Sequence, residues 1–393
     1  MRDILFLCPQ ERDRKAVRAA GLDDRYSVSF VGDDLDRMEP FDPAGLLAGV
    51  EGAPADGVVG TKDQSALLAA VLAERRGLPG PRPAALLACQ HKPTSREIQR
   101  RVAPASTPRT ALVGNGVPLE PPFFVKPVVG RLSQGALRVD DPSVLTGLEG
   151  PDGYAERYEA VAALAGGPRG RARGFLAEEL LHGLEVTLEG YVHRGRVTTI
   201  GVTDSVMYPG TISFERFEYP SRLSPERQAE LAVLAEELVL AHGLDDACFN
   251  VELFLPDEGP PGIIELNGRI ASQFAPLVQR LHGRSTYDVL CALACGEDPA
   301  WRGGDPDGVG VSFVVRVFED ALVEAVPEPE EGLEVLVAPG LPLSAQGLND
   351  AESYRLAILT GFGETRDEAV ARCREHAGRL SFRLAPAPDP ARA

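Results

Sequence analysis

A chain of 393 residues with 44% hydrophobic content is long enough for about two or three domains with ordinary cores. Its formal net charge of -18 argues against a nucleic-acid partner, which would call for clustered Lys and Arg. No apolar run is long enough to span a bilayer, so a membrane partner is excluded as well. The six cysteines (Cys8, Cys89, Cys248, Cys291, Cys295, Cys373) lack metal-ligand spacing and read as reduced core thiols of a cytoplasmic protein. The histidines form no cluster, which disfavours zinc.

In chain order, residues 3–8 read as a buried strand rather than a signal peptide, and a polar helix follows over about 11–21. Tyr26 to Val31 alternates as a second strand, Gly57 to Gly60 forms another, and Ser65 to Arg76 is an Ala/Leu-rich helix stopped by Gly77. This alternation predicts a small parallel α/β domain over 1–90, and the absence of a Gly-x-Gly-x-x-Gly after the first strand disfavours a dinucleotide site. Thr94 with Glu97 reads as a capping box opening a basic helix, with Lys92 just ahead of it as either a phosphate contact or a solvated lysine.

Phe123 to Pro127 is a short strand holding one lysine, Lys126, in an apolar run, where a buried cation needs an anion. The loop 128–135, with Ser133 and Gln134, can present backbone N–H groups to phosphates and close as a lid, although Gly/Ser loops are also plain turns. Next come Phe175 to Leu181, with Glu178 and Glu179, and a period-two strand placing Glu185, Thr187 and Glu189 on one face. That face is either solvated or set against a ribose, with the main chain of 178–181 facing a base. Residues 203–223 read as a long, aromatic-rich irregular loop of the kind that forms substrate sites. Ser224 caps a helix reaching Ala241, with Pro225 at its first position.

Phe249 to Phe254 and Gly262 to Arg269 read as two strands joined by a Pro/Gly turn, a hairpin that brings Glu252 and Glu265 within reach of one point. Asn267 shares the face of Glu265, and Arg269 follows two residues on. Two carboxylates and an amide oxygen suit Mg²⁺ bound together with substrate phosphates, against the alternative of a solvent-facing hairpin. A helix over about 285–295, a linker over 302–308, strands near 310–318 and 352–359, a helix over about 365–378 and a disordered tail over 386–393 complete the chain. Tyr208, Arg216 and Arg316 are candidates for gripping a substrate, and for Arg316 a structural salt bridge is an equal alternative.

Lys92, Lys126 with its following loop, the segment Glu178–Glu179 to Glu185, and Glu252…Glu265-x-Asn267-x-Arg269 occur in an order and spacing that resembles the ATP-grasp superfamily over about 90–300, in particular its L-amino-acid-ligase-like and biotin-carboxylase-like members. The resemblance implies an α/β fold with an N-terminal parallel domain, a central two-lobed ATP-grasp domain over 91–300 (small lobe about 118–182, large lobe about 183–300) and a small C-terminal α/β segment over 305–385. It implies that Lys92, Lys126, Ser133 and Gln134 hold ATP phosphates, and that Glu178, Glu179 and Leu181 line the adenine slot. Glu185 would bind ribose. Glu252, Glu265 and Asn267 would ligate two Mg²⁺ ions, with Mn²⁺ as a substitute, and Arg269 would steady the transferred phosphoryl group. Leu132, Gln134 and Gly268 depart from the family pattern, the last where proline is frequent.

The implied activity is carboxylate–amine ligation through an acyl phosphate, releasing ADP and phosphate. It needs small-molecule carboxylate and amine substrates and admits a homodimer. The alternatives are a carboxylase activating bicarbonate, against which stands the lack of a Met-Lys-Met biotinylation motif, and an ATP-binding protein that has lost catalysis.

Overall fold

A computed structural model describes residues 1–114, 117–148, 153–167, 170–304, 306–350 and 353–387. The N-terminal part runs β1 (Arg2–Leu7), α1 (Glu11–Ala19), β2 (Tyr26–Val31), α2 (Pro43–Val50), β3 (Gly57–Val59), α3 (Asp63–Arg76), α4 (Pro83–Gln90) and α5 (Lys92–Val102). β1 lies between β2 and β3, parallel to both. Ile4 to Leu7 are all buried, as expected of a parallel strand covered on both faces. α3 ends where Gly77 adopts φ +63 and lets the chain leave the helix.

The capping box expected at Thr94 and Glu97 is corrected. α5 begins three residues earlier, at Lys92, capped by His91, whose Nδ1 accepts the Thr94 backbone N–H at 3.3 Å. The histidine ring supplies the acceptor that a hydroxyl usually provides, so Lys92 sits in the first turn, buried, rather than ahead of the helix.

The small lobe contains β4 (Thr110–Leu112), β5 (Phe123–Pro127), β6 (Leu137–Val139), α6 (Tyr154–Leu164) and β7 (Phe175–Glu179), its sheet ordered β4-β7-β5-β6. The large lobe contains β8 (Leu184–His193), β9 (Arg196–Met207), β10 (Phe214–Tyr219), α7 (Pro225–Ala241), β11 (Ala247–Leu255), β12 (Gly262–Asn267), α8 (Ala275–His282) and α9 (Thr286–Ala294). After it come β13 (Val309–Val317), β14 (Ala321–Ala325), β15 (Leu333–Val335), β16 (Tyr354–Gly363), α10 (Arg366–Arg379) and β17 (Arg383–Pro386). The eight-stranded sheet is ordered β12-β11-β8-β9-β10-β13-β16-β15, so β13, β16 and β15 continue the sheet of the large lobe, while β14 and β17 pair as a separate two-stranded sheet. Gly183, at φ +114, stands just before β8, where a Cβ would lie 2.0 Å from the Leu255 carbonyl oxygen. Only glycine lets the two strands approach this closely.

The long loop expected over 203–223 is also corrected. β9 runs to Met207 and β10 starts at Phe214, antiparallel to it, so Phe214, Phe217 and Tyr219 sit in a strand of the large sheet and Tyr208 in the short connection before it. A bulge between Phe214 and Arg216 disturbs the period-two alternation, which hid the strand. α8 was not anticipated; its Pro276 lies in the first turn, where proline is tolerated. The linker over 302–308 has no regular structure among its described residues. Of the tail expected over 386–393, Pro386 closes β17 and 388–393 lie outside the described residues. All six cysteines are buried thiols. Among the described residues no helix is long and apolar enough to cross a membrane.

Candidate active site

β11 and β12 pair antiparallel with Glu252 directly opposite Glu265 and Asn250 opposite Asn267. Opposed residues share a sheet face, so the two carboxylates stand side by side. Asn267 Nδ2 donates to Asn250 Oδ1 at 3.0 Å and to Glu252 Oε1 at 3.3 Å. Burial and then the Glu265 charge push the Glu252 carboxyl up to about 7. Two carboxylates whose mutual repulsion is this poorly relieved are a fitting donor set for a hard cation. Among the described residues no cluster of three or more His, Cys, Asp or Glu forms a protein-only metal cage. Two carboxylates with an amide oxygen leave coordination positions for phosphate oxygens and water, as Mg²⁺ prefers.

The cations that face this pair come from three directions. Lys92 Nζ, from the first turn of α5, lies 3.2 Å from Glu265 Oε1. Lys126 Nζ, from β5, lies 2.8 Å from Glu178 Oε2 and donates to the Ile264 carbonyl at 3.2 Å. Arg96, one turn after Lys92, holds Glu178 through Nε at 2.7 Å and Nη2 at 2.9 Å, and its Nη2 also donates to the Ile264 carbonyl at 2.8 Å. Burial pushes the Glu178 carboxyl up, but Lys126 and Arg96 outweigh it and hold it at about 2. Arg269 Nε donates to Asp63 Oδ1 at 2.8 Å, tying the end of the hairpin to the start of α3. At Gly268 a Cβ would lie 2.5 Å from Leu86 Cδ2, so glycine lets α4 pack beside this turn.

Lys92, Lys126, Glu178, Glu252, Glu265, Asn267 and Arg269 line one cleft of about 870 Å³, a volume suited to a nucleotide-sized ligand, with Arg96 buried behind Glu178. Ser133 and Gln134 line it from the loop 128–135, and Glu178, Glu179, Leu181 and Glu185 line it from the strand edges. In the loop, Leu132 and Ser133 both hold φ in the left-handed region, at +53 and +58. Arg131 pairs with Asp36 of the N-terminal part, and Gln134 Nε2 donates to the Gly347 carbonyl at 2.7 Å. Glu179 reaches outward to Arg109, 2.8 Å away. Past β7, the main chain of Leu180 to His182 makes no backbone hydrogen bond among the described residues. Burial and then the charge of Glu252 push the Glu185 carboxyl well up. Glu189, on the same strand face, accepts the Ala271 N–H at 3.2 Å, and burial pushes it up to about 8.

Tyr208, Arg216 and Arg316 are not among the residues lining the cleft. Tyr208 donates its hydroxyl to the Val314 carbonyl at 3.2 Å, and Arg216 pairs with Glu215 and Glu218. Arg316 is enclosed by Asp350 at 2.7 Å, Ser353 at 2.7 Å and the Phe214 carbonyl at 2.9 Å, a structural salt bridge. Sequence reasoning missed the N-terminal wall of the cleft, with Arg12, Asp36 and Asp63, and the C-terminal wall, with Glu334 and Arg355. Neither wall has a local motif. For Arg96 a signal existed, since it follows Lys92 by four residues and therefore shares its helix face.

Residues 119–276 match the model of the ATP-grasp domain family. Carnosine synthase 1 of Mus musculus is 26% identical over 319 residues, which cover 77% of this chain and 37% of that protein. The human protein of the same name is 25% identical over 269 residues, 65% of this chain and 32% of that one. The chain thus spans about a third of the length of the curated relatives it matches. Among solved structures, an L-amino acid ligase from Bacillus licheniformis superposes with a TM-score of 0.76 at 18% identity, covering 98% of both chains. A biotin carboxylase domain from Hydrogenobacter thermophilus, solved with MgADP and bicarbonate, superposes with a TM-score of 0.68 at 14% identity, covering 98% of this chain and 91% of that one. The chain has the ATP-grasp fold, and its residues 119–276 match the ATP-grasp domain family.

Proposed function

We propose that this protein is an ATP-dependent ligase that joins a carboxylate, an amino acid or close relative, to an amine. The observation that carries the reading is the paired Glu252 and Glu265, with Asn267, facing Lys92, Lys126 and Arg269 in one cleft. Each of these cations is held by a carboxylate of the chain, Glu265, Glu178 and Asp63 respectively, so a triphosphate can compete for them without leaving a buried charge bare. Glu252, Glu265 and Asn267 would hold Mg²⁺, which when bound neutralises phosphate charge. Lys92 and Lys126 would take phosphate oxygens and Arg269 the transferred phosphoryl group. The loop 128–135 would cover the phosphates, and the free main-chain groups of Leu180 to His182 would face the adenine edge with Glu185 on the ribose.

In the proposed reaction the γ-phosphoryl group passes to a carboxylate oxygen and ADP leaves. The amine then attacks the acyl carbon, phosphate departs, and the amine gives up a proton. No protein nucleophile is needed; positioning and charge neutralisation carry the rate. The names of the similar proteins, an L-amino acid ligase and a carnosine synthase, support an amino acid as one substrate.

The test is to incubate the protein with ATP, Mg²⁺ and each amino acid singly in the presence of hydroxylamine and to look for the hydroxamate by mass. A hydroxamate from at least one amino acid is expected. Silence across the set, with ATP turnover that depends on bicarbonate, would replace the ligase by a carboxylase.

A further inference from the structure

Arg355 lies on β16 and lines the cleft beside Leu336, Leu348 and Ile358. The pairing of β13 with β16 slips between Val315–Ala357 and Arg316–Arg355, which inserts one extra residue, Leu356, into β16. Without that bulge Arg355 and Ile358, three apart, would point to opposite faces; with it they share the face that lines the cleft. Leu356 itself is buried.

The other buried or half-buried cations of the cleft each have a carboxylate of the chain as partner. Lys92, Lys126, Arg131 and Arg269 each hold a carboxylate, and Arg12 holds Glu334 at 2.7 Å. Arg37 is exposed to solvent. The Arg355 side chain makes no hydrogen bond or ion pair among the described residues, and its Nε is enclosed without a partner. Asp350, the carboxylate that acts on it from nearby, is already bonded to Arg316. Burial and then the Arg316 charge push its pKa down to about 9, which is what a guanidinium short of an anion experiences. A cation in this setting calls for an anionic partner from outside the chain.

Its place in the sheet says which anion. β16 is separated from β11 by β8, β9, β10 and β13 in the strand order, so Arg355 stands across the cleft from Glu252 and Glu265. At about 4.8 Å per strand, the path along the sheet is on the order of 24 Å. A carboxylate about to be phosphorylated must sit at the hairpin end. We propose that Arg355 receives the free carboxylate of the amine substrate, which makes that substrate an amino acid whose apolar side chain rests on Leu336, Leu348 and Ile358. The assignment rests on the ligase reading above.

The experiment uses the full chain and measures two products: hydroxamate from the activated carboxylate with ATP and hydroxylamine, and ligated product with an amino acid or its carboxamide as the amine. Wild type is expected to use the amino acid far better than the carboxamide. In Arg355→Leu the hydroxamate is retained, which also shows the variant is folded, while the KM for the amino-acid amine rises about tenfold to a hundredfold and the preference over the carboxamide is lost. Hydroxamate and acceptor KM both unchanged in Arg355→Leu would overturn the assignment and leave the ligase reading standing. No hydroxamate from wild type with any amino acid would remove the ligase reading and the assignment together. Should Arg355→Leu lose the hydroxamate too, Arg355→Lys decides. Hydroxamate retained with a raised acceptor KM supports the assignment, and loss of both products overturns it.

Discussion

Glu265 is shared between two demands, since it neutralises Lys92 and stands opposite Glu252. Glu265→Gln is expected to lower ATP turnover on the order of a hundredfold or more, because it removes a ligand from the proposed cation site, while the far-ultraviolet circular dichroism stays unchanged. Near-normal turnover at saturating Mg²⁺ would dismiss that site. Lys126→Ala is expected to weaken ATP binding about tenfold to a hundredfold in equilibrium titration and to leave amino-acid binding alone, the value of one charge-assisted contact in a desolvated slot. Glu178 gives a stability prediction with a pH signature. Its carboxyl is held at about 2 against a usual 4.5, so its stabilising contribution is complete above about 4.5 and is lost as the pH falls through 2. Glu178→Gln leaves Lys126 and Arg96 buried without that charge and should cost about 3–5 kcal/mol in urea unfolding at neutral pH. The gap from wild type should narrow as the pH drops from 4.5 towards 2. A gap independent of pH would mean that the carboxylate charge is not what the two cations require.

At the scale of elements, the loop 128–135 is held shut by contacts outside its own lobe. Arg131 reaches Asp36, which Lys62 also holds, and Gln134 reaches the Gly347 carbonyl. Arg131→Ala removes the first tie and keeps the second. Subtilisin is expected to cut within 128–136 faster in this variant, and the KM for ATP to rise severalfold, in keeping with about 1 kcal/mol for a partly buried ion pair. Unaltered cleavage and KM would show that the loop keeps its place without Arg131. The bulges in β10 and β16 are the other devices at this scale, each placing residues three apart, Phe214 with Phe217 and Arg355 with Ile358, on the cleft side of the sheet.

At the scale of the molecule, the large sheet runs without a break from the hairpin β11–β12 to β16 and β15. β13 covers the edge of β10, pairing Arg216 with Phe313 and Tyr219 with Gly310. A chain cut after residue 304 would lose β13 and expose that edge together with the apolar residues now clustered with Val314, including Phe217, Phe274 and Leu277. It is expected to be insoluble on expression, measured by sedimentation of the lysate, whereas a soluble and ATP-binding fragment would show that the strands after 304 are accessory. The N-terminal part is bound into the same body, with Tyr287 of α9 donating its hydroxyl to the buried Asp13 at 2.5 Å.

What the sequence determined by itself is what depends on near neighbours. The strand β1, the helix α3 with its C-terminal stop, the helix α7 with both its ends, and the hairpin that sets Glu252 against Glu265 all follow from apolar runs, caps and a Pro/Gly turn within a few residues. The order Lys92, Lys126, Glu178, Glu265 was also legible, and the fold gathers all four in one cleft. Only the tertiary structure decided what turns on distant partners. The aromatic stretch 203–223 becomes strand because the sheet supplies hydrogen-bonding neighbours on both sides of β10, although a bulge breaks its alternation. Arg316 is consumed by Asp350 and Ser353, 34 and 37 residues away, whereas Arg355, unremarkable in sequence, is left facing the cleft. An arginine's role depends on which anion reaches it, and that is set by packing across the whole chain rather than by the residues beside it.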